Sequence, residues 1–379
     1  MAPTPFTLHV PDAQLADLRQ RLGATRFPDQ PPGSAWATGA DLSYVQALVE
    51  HWRTGFDWRA QEAALNAFPQ FTLPLHGITL HFLHVPGQGP APMPLLLSHG
   101  WPGSVFEFGE LIPRLTHPAR FGGDPVDAFT VVAPSLPGYG LSFQPGQGRF
   151  GVPAIADCFA DLMSALGYER FGAQGGDWGG FITSRLGATY PDRLLGIHLN
   201  MLAVRRELAG QLTPEEQRYG EQLRAWLREE TGYQSIQGTK PQTLAFALTD
   251  SPAGLAAWIV EKFRAWSDCG GDPARAIPRN RMLANIALYW FTGAIGSSFW
   301  PYYDRLHNPW PIPGTVDVPT GYAEFPYEIL RPPRSVAERT YTDIRRWSVM
   351  PRGGHFAALE QPDALAAEIR AFFRPLRST

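Results

Sequence analysis

The chain has 379 residues, 44% of them hydrophobic, and a formal net charge of −3. It is long enough to bury one large core or two smaller ones, and its charge gives no electrostatic reason to expect nucleic acid. There is no run of 18 apolar residues, which argues against a membrane span, and no basic and apolar secretory signal at the N-terminus. Two cysteines, Cys158 and Cys269, predict neither a disulfide framework nor a cysteine metal site. We therefore expect a soluble cytoplasmic enzyme.

The first part of the chain is predicted to be helical and to lead into a hairpin. Residues 12–22 and 41–54 carry apolar side chains at helical spacing, with a proline- and glycine-rich connection between them and no obvious strand. From Phe71 to Val85 the pattern alternates, with His76 and Gly77 at the turn. This alternation predicts a β-hairpin.

Short apolar runs then alternate with helical patterns up to about residue 200. Strands are predicted at 95–99, 129–134, 168–173 and 194–199, and helices at 105–115, 153–166 and from Phe181 onwards. Short apolar strands that alternate with helices are typical of a mostly parallel sheet covered on both faces.

The pattern changes after about residue 200, where the segments become helical and rich in aromatic residues. Strand character returns at Gly314–Pro319 and Arg345–Met350, and an amphipathic helix is predicted at Pro362–Phe373. Because the sheet resumes, a helical lid inserted into one sheet is favoured over a second independent domain. The predicted segments are an N-terminal helical segment at 1–68 that packs on core and lid, the first part of the core at 69–200, the lid at 201–313 and the second part of the core at 314–379.

One turn places a carboxylate where many hydrolases place a serine. The segment Gly175–Gly180 (GGDWGG) follows a predicted strand and precedes a predicted helix. Small residues two before and two after Asp177 permit a strained turn that exposes the central side chain above the sheet edge. Because a carboxylate is ionised at neutral pH without a base, Asp177 can attack a saturated, electrophilic carbon directly.

A second loop follows the strand predicted at 95–99. The segment His99–Ser104 (HGWPGS) is similar to the loop that lines an oxyanion hole in hydrolases. Glycine lets the backbone turn an amide N–H towards the site, and proline fixes the chain beyond it. The sequence therefore predicts that the backbone N–H groups of Trp101 and Trp178 face one developing oxyanion.

A general base is expected near the end of the chain. His355, one of ten histidines, lies between the last predicted strand and the final helix, where the base follows the nucleophile and the acid in chain order. The histidines of the hairpin, together with His99 and His117, are assigned structural roles.

The acid that orients this base should follow the penultimate strand. Glu328 comes after a turn in an apolar neighbourhood, where a lone carboxylate usually needs a partner. Chain order favours Glu328 over Glu324 and leaves both open. The remaining candidates are Asp317, which falls within the predicted strand, and Glu338 and Asp343 further on.

The sequence has no pattern for a metal or a cofactor. A His-x-x-x-His pair and a cysteine cluster are both missing. The glycine-rich segment at 172–180 lacks the Lys-Ser/Thr end of a P-loop and the downstream acidic residue of a dinucleotide site. We expect a reaction without metal or cofactor, between a small lipophilic molecule and water.

Five segments together resemble the epoxide hydrolases of the microsomal and juvenile-hormone type. They are HGWPGS at 99–104, GGDWG at 175–179, VPTG at 318–321, FPYE at 325–328 and RGGHFAA at 352–358, so that the match covers nearly the whole chain. The resemblance implies an α/β-hydrolase fold, with a mostly parallel sheet flanked by helices, a helical lid and an N-terminal helical extension. It also implies that Asp177 is the nucleophile, His355 the base and Glu328 the orienting acid.

The same resemblance implies two lid tyrosines that hold the epoxide oxygen. The segments TGYQ at 231–234 and FWPYYD at 299–304 give Tyr233 and Tyr303, with Tyr302 as the competing choice because adjacent positions are easily misregistered. The implied reaction converts a lipophilic epoxide to a vicinal diol. Asp177 forms an alkyl-enzyme ester, which water activated by His355 then hydrolyses.

Two other functions share part of this pattern. A haloalkane dehalogenase also uses an aspartate on such a turn, but it needs halide-binding N–H donors instead of paired phenols. A non-catalytic scaffold that binds a hydrophobic ligand would not need an intact nucleophile, base, acid and oxyanion loop.

Overall fold

A nine-stranded sheet forms the centre of the computed structural model, which describes residues 2–204 and 211–377. The order across the sheet is β1-β2-β3-β5-β4-β6-β7-β8-β9. The pairs from β1 to β5 along this order are antiparallel, and those from β5 to β9 are parallel. The strands are β1 Thr4–Pro5, β2 Gln70–Leu75, β3 Ile78–Val85, β4 Met93–Ser98, β5 Phe129–Pro134, β6 Phe171–Gly175, β7 Leu194–Leu199, β8 Thr320–Glu324 and β9 Ile344–Val349.

Helices flank this sheet, as the α/β pattern predicts. The N-terminal helices are α1 Asp12–Gly23, α2 Leu42–Thr54 and α3 Trp58–Asn66, and those of the first core part are α4 Leu111–Thr116, α5 Val152–Ala165 and α6 Asp177–Thr189. Between β7 and β8 lie α7 Pro214–Glu229, α8 Gly232–Thr239, α9 Pro241–Asp250, α10 Pro252–Trp266, α11 Arg279–Thr292, α12 Ile295–Ser298 and α13 Trp300–His307. The last helices are α14 Arg334–Ala337, α15 Ala357–Glu360 and α16 Pro362–Phe373.

The predicted hairpin is confirmed. In β2 and β3 Leu75 pairs with Ile78, and His76 and Gly77 turn the chain with φ values of 51° and 77°. The expectation of no strand in the leading segment is wrong for two residues, because β1 adds to the sheet through the pairing of Thr4 with Thr72.

Two other element predictions are corrected. The helix expected at 105–115 is a 3₁₀ turn at Val105–Phe108 followed by α4. Pro113 has no N–H to donate to the carbonyl four residues earlier, so the first turn cannot continue into one helix. The strand expected at Gly314–Pro319 begins only at Thr320, and Val316 forms one isolated bridge. The sheet accepts the TGYAE segment of β8 because the strand is buried, although Gly321, Ala323 and Glu324 have low strand propensity.

All described elements between β7 and β8 are helical, which agrees with an inserted lid. Residues 205–210 of the predicted lid, Met1 of the predicted N-terminal segment and residues 378–379 lie outside the described residues. The N-terminal helices contact both other parts, since the ring of Trp58 packs 4.8 Å from Phe291 in α11 and 6.2 Å from Phe106 in the core. The residue boundaries of the four segments stay predictions.

No single helix among the described residues is long and apolar enough to cross a bilayer. The consecutive helices α9 and α10 meet the length and composition criterion only as a pair, and the chain bends by 116° between them.

The contact of Trp58 leads to a prediction about stability. Trp58 is buried, and its indole N–H donates to Glu62 at 2.7 Å. We expect Trp58→Ala to lower the free energy of unfolding by about 3–5 kcal/mol, because it leaves a cavity between the N-terminal segment, core and lid. Urea unfolding followed by circular dichroism measures the change. Phe246→Ala is the control, because Phe246 is 73% exposed, and equal midpoints for the two variants would contradict the prediction.

Candidate active site

Asp177 lies on the turn between β6 and α6 with a φ of 48°, in the left-handed region. A Cβ at Gly175 would stand 2.1 Å from the carbonyl oxygen of Gly179, and one at Gly179 would stand 1.9 Å from the carbonyl oxygen of Ser98. Neither position has space for a side chain, which is the requirement predicted for this turn. The Asp177 side chain retains 14% exposure and lines a cavity.

The carboxyl ends of three parallel strands bring Asp177, Glu328 and His355 together. They follow β6, β8 and β9 respectively, and such ends meet at one edge of a parallel sheet. The imidazole Nδ1 of His355 lies 2.6 Å from Oε1 of Glu328, and its Nε2 lies 3.4 Å from Oδ2 of Asp177. Glu328 Oε1 also accepts the backbone N–H of Ile329 at 2.7 Å. The imidazole can therefore carry a proton on Nδ1, which faces Glu328, or on Nε2, which faces Asp177.

Charge controls the protonation of His355. Burial alone lowers the pKa of this imidazole, since its side chain is 2% exposed. The carboxylates of Glu328 and Asp177 act in the opposite direction and hold the pKa of His355 well above its usual value. The two carboxylates thus favour the imidazolium form of His355 in the free protein.

The predicted oxyanion loop also reaches Asp177. The backbone N–H of Trp101 donates to Oδ1 of Asp177 at 2.7 Å. Trp178 is in the first turn of α6, where backbone N–H groups have no acceptor within the helix. The two Asp177 oxygens thus have different environments, since Oδ1 accepts from a backbone amide and Oδ2 lies towards His355.

Lid residues that the sequence did not single out hold these loops in place. Asn285 Nδ2 donates to the carbonyl of Pro102 at 2.7 Å, and the Tyr289 hydroxyl donates to the carbonyl of Gly103 at 2.7 Å. The backbone N–H of His355 donates to the carbonyl of Trp266 at 2.8 Å. Polar residues at helical spacing carry no sequence signal for such contacts, which depend on tertiary structure.

A cavity of about 400 Å³ opens above Asp177. Tyr233 of α8 and Tyr302 of α13 both line it, with their rings 5.8 Å apart. Burial, and then the neighbouring Tyr233 and Asp177, raise the pKa of Tyr302 well above the usual value of a phenol, so it stays protonated. The apolar part of the lining consists of Trp178, Phe181, Met201, Trp226, Leu227, Leu306, Ile329 and Leu330.

Tyr303, the tyrosine chosen from the sequence, does not line the cavity above Asp177, whereas the competing choice, Tyr302, does. Adjacent residues on a helix point about 100° apart, so Tyr302 and Tyr303 of α13 face different directions. The Tyr303 ring stacks 4.9 Å from Trp300 and 3.9 Å from His307, and it lines a separate surface cavity. Of the two tyrosines, Tyr302 is thus the one that shares a cavity with Asp177.

The remaining acid candidates do not contact His355 among the described interactions. Asp317 accepts from Thr342, and Glu338 and Asp343 pair with the arginines Arg334 and Arg345. Glu324 is the last residue of β8 and lies four residues before Glu328, which is the acid that contacts His355.

Glu107 is a carboxyl group beside the site that the sequence did not single out. It lines a small cavity with Asp177 and His355, directly after the oxyanion loop. Burial raises the pKa of Glu107 to about 8, opposed by the imidazolium of His355 and reinforced by Asp177. At neutral pH it is a neutral acid that can donate a hydrogen bond.

Comparison with known proteins agrees with this fold. Residues 3–108 match the family described as epoxide hydrolase N terminus, and residues 93–257 match the alpha/beta hydrolase fold. The chain is thus an α/β-hydrolase with the N-terminal segment typical of one group of these enzymes. Epoxide hydrolase 1 of Oryctolagus cuniculus is 37% identical over 399 residues, which cover 97% of this chain and 88% of that protein.

Two crystal structures are similar over nearly the full chain. Juvenile hormone epoxide hydrolase of Bombyx mori superposes with a TM-score of 0.90 at 30% identity, covering 100% of this chain and 95% of the other. The Aspergillus niger epoxide hydrolase gives a TM-score of 0.87 at 31% identity, covering 99% and 97%. This chain belongs to the epoxide hydrolases of the α/β-hydrolase fold, and the activity of the enzyme is epoxide hydrolysis. The family resemblance of the sequence is confirmed.

The charges around His355 give a prediction about pH. Asp177→Asn removes one of the two carboxylates that favour the imidazolium, so we expect the pKa of His355 to fall relative to the wild-type enzyme. NMR titration of the imidazole signals measures it, with His355→Gln used to assign the resonance. The buried ring of His81, which contacts Ser135 and Gln70, is the internal control and should not shift. An unchanged pKa of His355 would contradict the proposed charge coupling.

Proposed function

We propose that this epoxide hydrolase converts a lipophilic epoxide to a vicinal diol through a covalent alkyl-enzyme ester on Asp177. The observation that carries the proposal is the unequal environment of its two carboxylate oxygens. Oδ1 accepts the N–H of Trp101 at 2.7 Å, while Oδ2 lies 3.4 Å from His355 Nε2 and the carboxylate borders the cavity. One oxygen is thus held for the role of a carbonyl and the other is available for attack.

Ring opening is the first half of the proposed reaction. Oδ2 of Asp177 attacks one ring carbon, the bond from that carbon to the ring oxygen breaks, and the oxygen takes the electron pair. An alkoxide is a poor leaving group, so the oxygen needs a proton donor. Tyr233 and Tyr302 border the cavity above Asp177 and supply two phenol groups for this purpose.

Ester hydrolysis is the second half, and the first half prepares it. Once Asp177 is an ester, one of the two negative charges that favour the imidazolium is gone, so the pKa of His355 falls and its proton can pass to solvent, which leaves a neutral imidazole that can act as the base. Oriented by Glu328, it deprotonates a water that attacks the Cγ of Asp177. The N–H groups of Trp101 and Trp178 stabilise the oxyanion that forms on Oδ1. The diol leaves with the oxygen that made the attack.

The shape and lining of the cavity support the substrate class. Its walls are mainly aliphatic and aromatic, and the polar groups that border it include the phenols of Tyr233 and Tyr302 and the side chains of Thr231, Gln234, Ser235, Thr239 and Arg305. Such a lining binds apolar molecules and orients them through few polar contacts. Paired phenols also suit an epoxide oxygen better than a halide, which the rival dehalogenase reaction requires.

Labelled water tests the covalent route. In a single turnover in H₂¹⁸O with enzyme in excess over an aryl epoxide, we expect the label in the Asp177 carboxylate and not in the diol, because water attacks the ester carbonyl carbon. Mass spectrometry of the peptide and of the diol measures both. Asp177→Ala is the control and should form no diol. Label in the first-turnover diol would exclude the ester.

A matched pair of substitutions tests the tyrosine assignment. Tyr302→Phe should slow ring opening about 10- to 100-fold, because one hydrogen bond to a developing charge is lost. Tyr303→Phe, one residue further in α13, should keep its rate within about twofold of wild type. Stopped-flow fluorescence under single-turnover conditions measures the rate. A larger effect of Tyr303→Phe than of Tyr302→Phe would restore the original choice from the sequence.

A further inference from the structure

The two lysines of the chain lie in very different places. Basic residues number 32, and all but Lys240 and Lys262 are arginines. Lys240 is exposed at the start of α9. Lys262 is 7% exposed, in the middle of α10. A buried ammonium close to an active site calls for a physical account.

Lys262 lies against the ring of Tyr233. Its Nζ is 4.7 Å from the centre of this ring and 5.6 Å from the ring of Trp266, one turn further along α10. Its Nζ also lies 2.5 Å from the Glu261 carboxylate. Lys262 is not among the residues that line the cavity above Asp177, whereas Tyr233 is. The lysine can therefore influence a bound epoxide only through the tyrosine.

Packing alone is a weak reason for this charge. Removing an ammonium from water is costly, and an apolar side chain of similar length could cover the same two rings without that cost. The face of an aromatic ring attracts a cation, and the attraction grows when the ring carries negative charge. Ring opening creates such a charge, because the proton that goes to the epoxide oxygen leaves a phenolate behind.

We propose that the buried ammonium of Lys262 acts through Tyr233, by stabilising the negative charge that develops on this phenol as it gives its proton to the epoxide oxygen. The inference rests on the proposed function and deepens it, because it separates the roles of the two lid tyrosines. Tyr233 transfers the proton, and Tyr302 donates a hydrogen bond and keeps its own. Lys262 is a positioning residue in this sense, since it does not touch the substrate.

The protons balance over the full cycle. In ring opening the Tyr233 proton moves to the ring oxygen, which becomes the first hydroxyl of the diol. In hydrolysis the attacking water gives up two protons and its oxygen remains in the Asp177 carboxylate. One of these protons passes through His355 to the oxygen that leaves Asp177, and the other returns to Tyr233 through solvent. His355 releases its own proton to solvent once the ester has formed and takes one back when the Asp177 carboxylate is restored.

The other charges around Tyr233 fit this division. Asp177 and Tyr302 share the cavity with Tyr233, and burial together with Tyr233 and Asp177 raises the pKa of Tyr302, which favours its keeping its proton. Arg305 of α13 also lines the cavity and lies over the rings of Trp178 and Phe181. Among the remaining charged groups on the neighbouring helices, Glu261 pairs with Lys262, Asp304 accepts from Trp310, His307 stacks on Tyr303, and Asp250 pairs with Arg21.

The test separates the two halves of the reaction. Styrene oxide is mixed with excess enzyme, and tryptophan fluorescence follows formation and decay of the alkyl-enzyme across a range of pH. We expect Lys262→Met to slow formation about tenfold and to leave decay within about twofold. We also expect the alkaline limb of the formation rate to move to higher pH, because the phenol ionises less readily without the cation.

Four further single variants and one double variant distinguish charge from packing. Lys262→Arg keeps the cation and should restore most of the rate. Glu261→Gln removes the ion pair but keeps the cation, and Lys240→Met removes the other lysine, so both should stay within about twofold of wild type. Tyr233→Phe should be slow, and adding Lys262→Met to it should cause no further loss, because the lysine acts through the lost hydroxyl. If Lys262→Met does not fold, as thermal unfolding would reveal, Lys262→Gln replaces it in every comparison.

Three results would overturn the inference. Lys262→Met could slow formation and decay of the alkyl-enzyme equally, or it could cause the same loss of formation rate in Tyr233→Phe as in the wild-type enzyme. Lys262→Arg could also fail to restore the formation rate. An unchanged formation rate or an unmoved alkaline limb in Lys262→Met would do so as well. If the wild-type enzyme makes diol without an alkyl-enzyme, the proposed covalent function fails, whatever the lysine variants do.

Discussion

The contact of one buried imidazole with two carboxylates is the interaction on which the active site depends. Glu328 and Asp177 lie on the two sides of His355, 2.6 and 3.4 Å away, and their charges favour its protonated form against the cost of burial. The three residues follow three different strands of the parallel sheet. The register of those strands is therefore a catalytic requirement as well as a folding one, because moving any of them separates charges that compensate one another.

Core and lid divide the chemistry between them. The core supplies every group proposed to form and break the bond to Asp177, and the lid supplies the phenols proposed for the ring oxygen. Asn285 and Tyr289 of the lid also hydrogen-bond to the loop that carries Trp101. This contact explains why the lid is rich in aromatic residues with polar ends, since such residues build an apolar cavity and still fix the backbone beneath it.

Local patterns predicted the residues that sit on turns better than those that sit on helices. The glycines around Asp177 and the position of His355 in the chain follow from steric and topological rules, so both residues could be found without tertiary structure. Glu328 needed the family resemblance, because several acids follow β8.

Tyr302 and Tyr303 could not be separated, since the register of a short helix depends on its packing. The start of β8 was misplaced because burial of the strand overrides the low strand propensity of Gly321, Ala323 and Glu324. Glu107 and Lys262 carried no signal, because only folding brings them near Asp177 and Tyr233.

The hydrogen bond from the His355 backbone to the carbonyl of Trp266 limits how the enzyme can admit its substrate. Trp266 ends α10, which also contacts the N-terminal helices α1 and α2. A lid that swung away as one body would pull the catalytic loop with it and break this connection. Movement of α7, α8 or α13, whose residues line the cavity above Asp177, would leave this hydrogen bond in place.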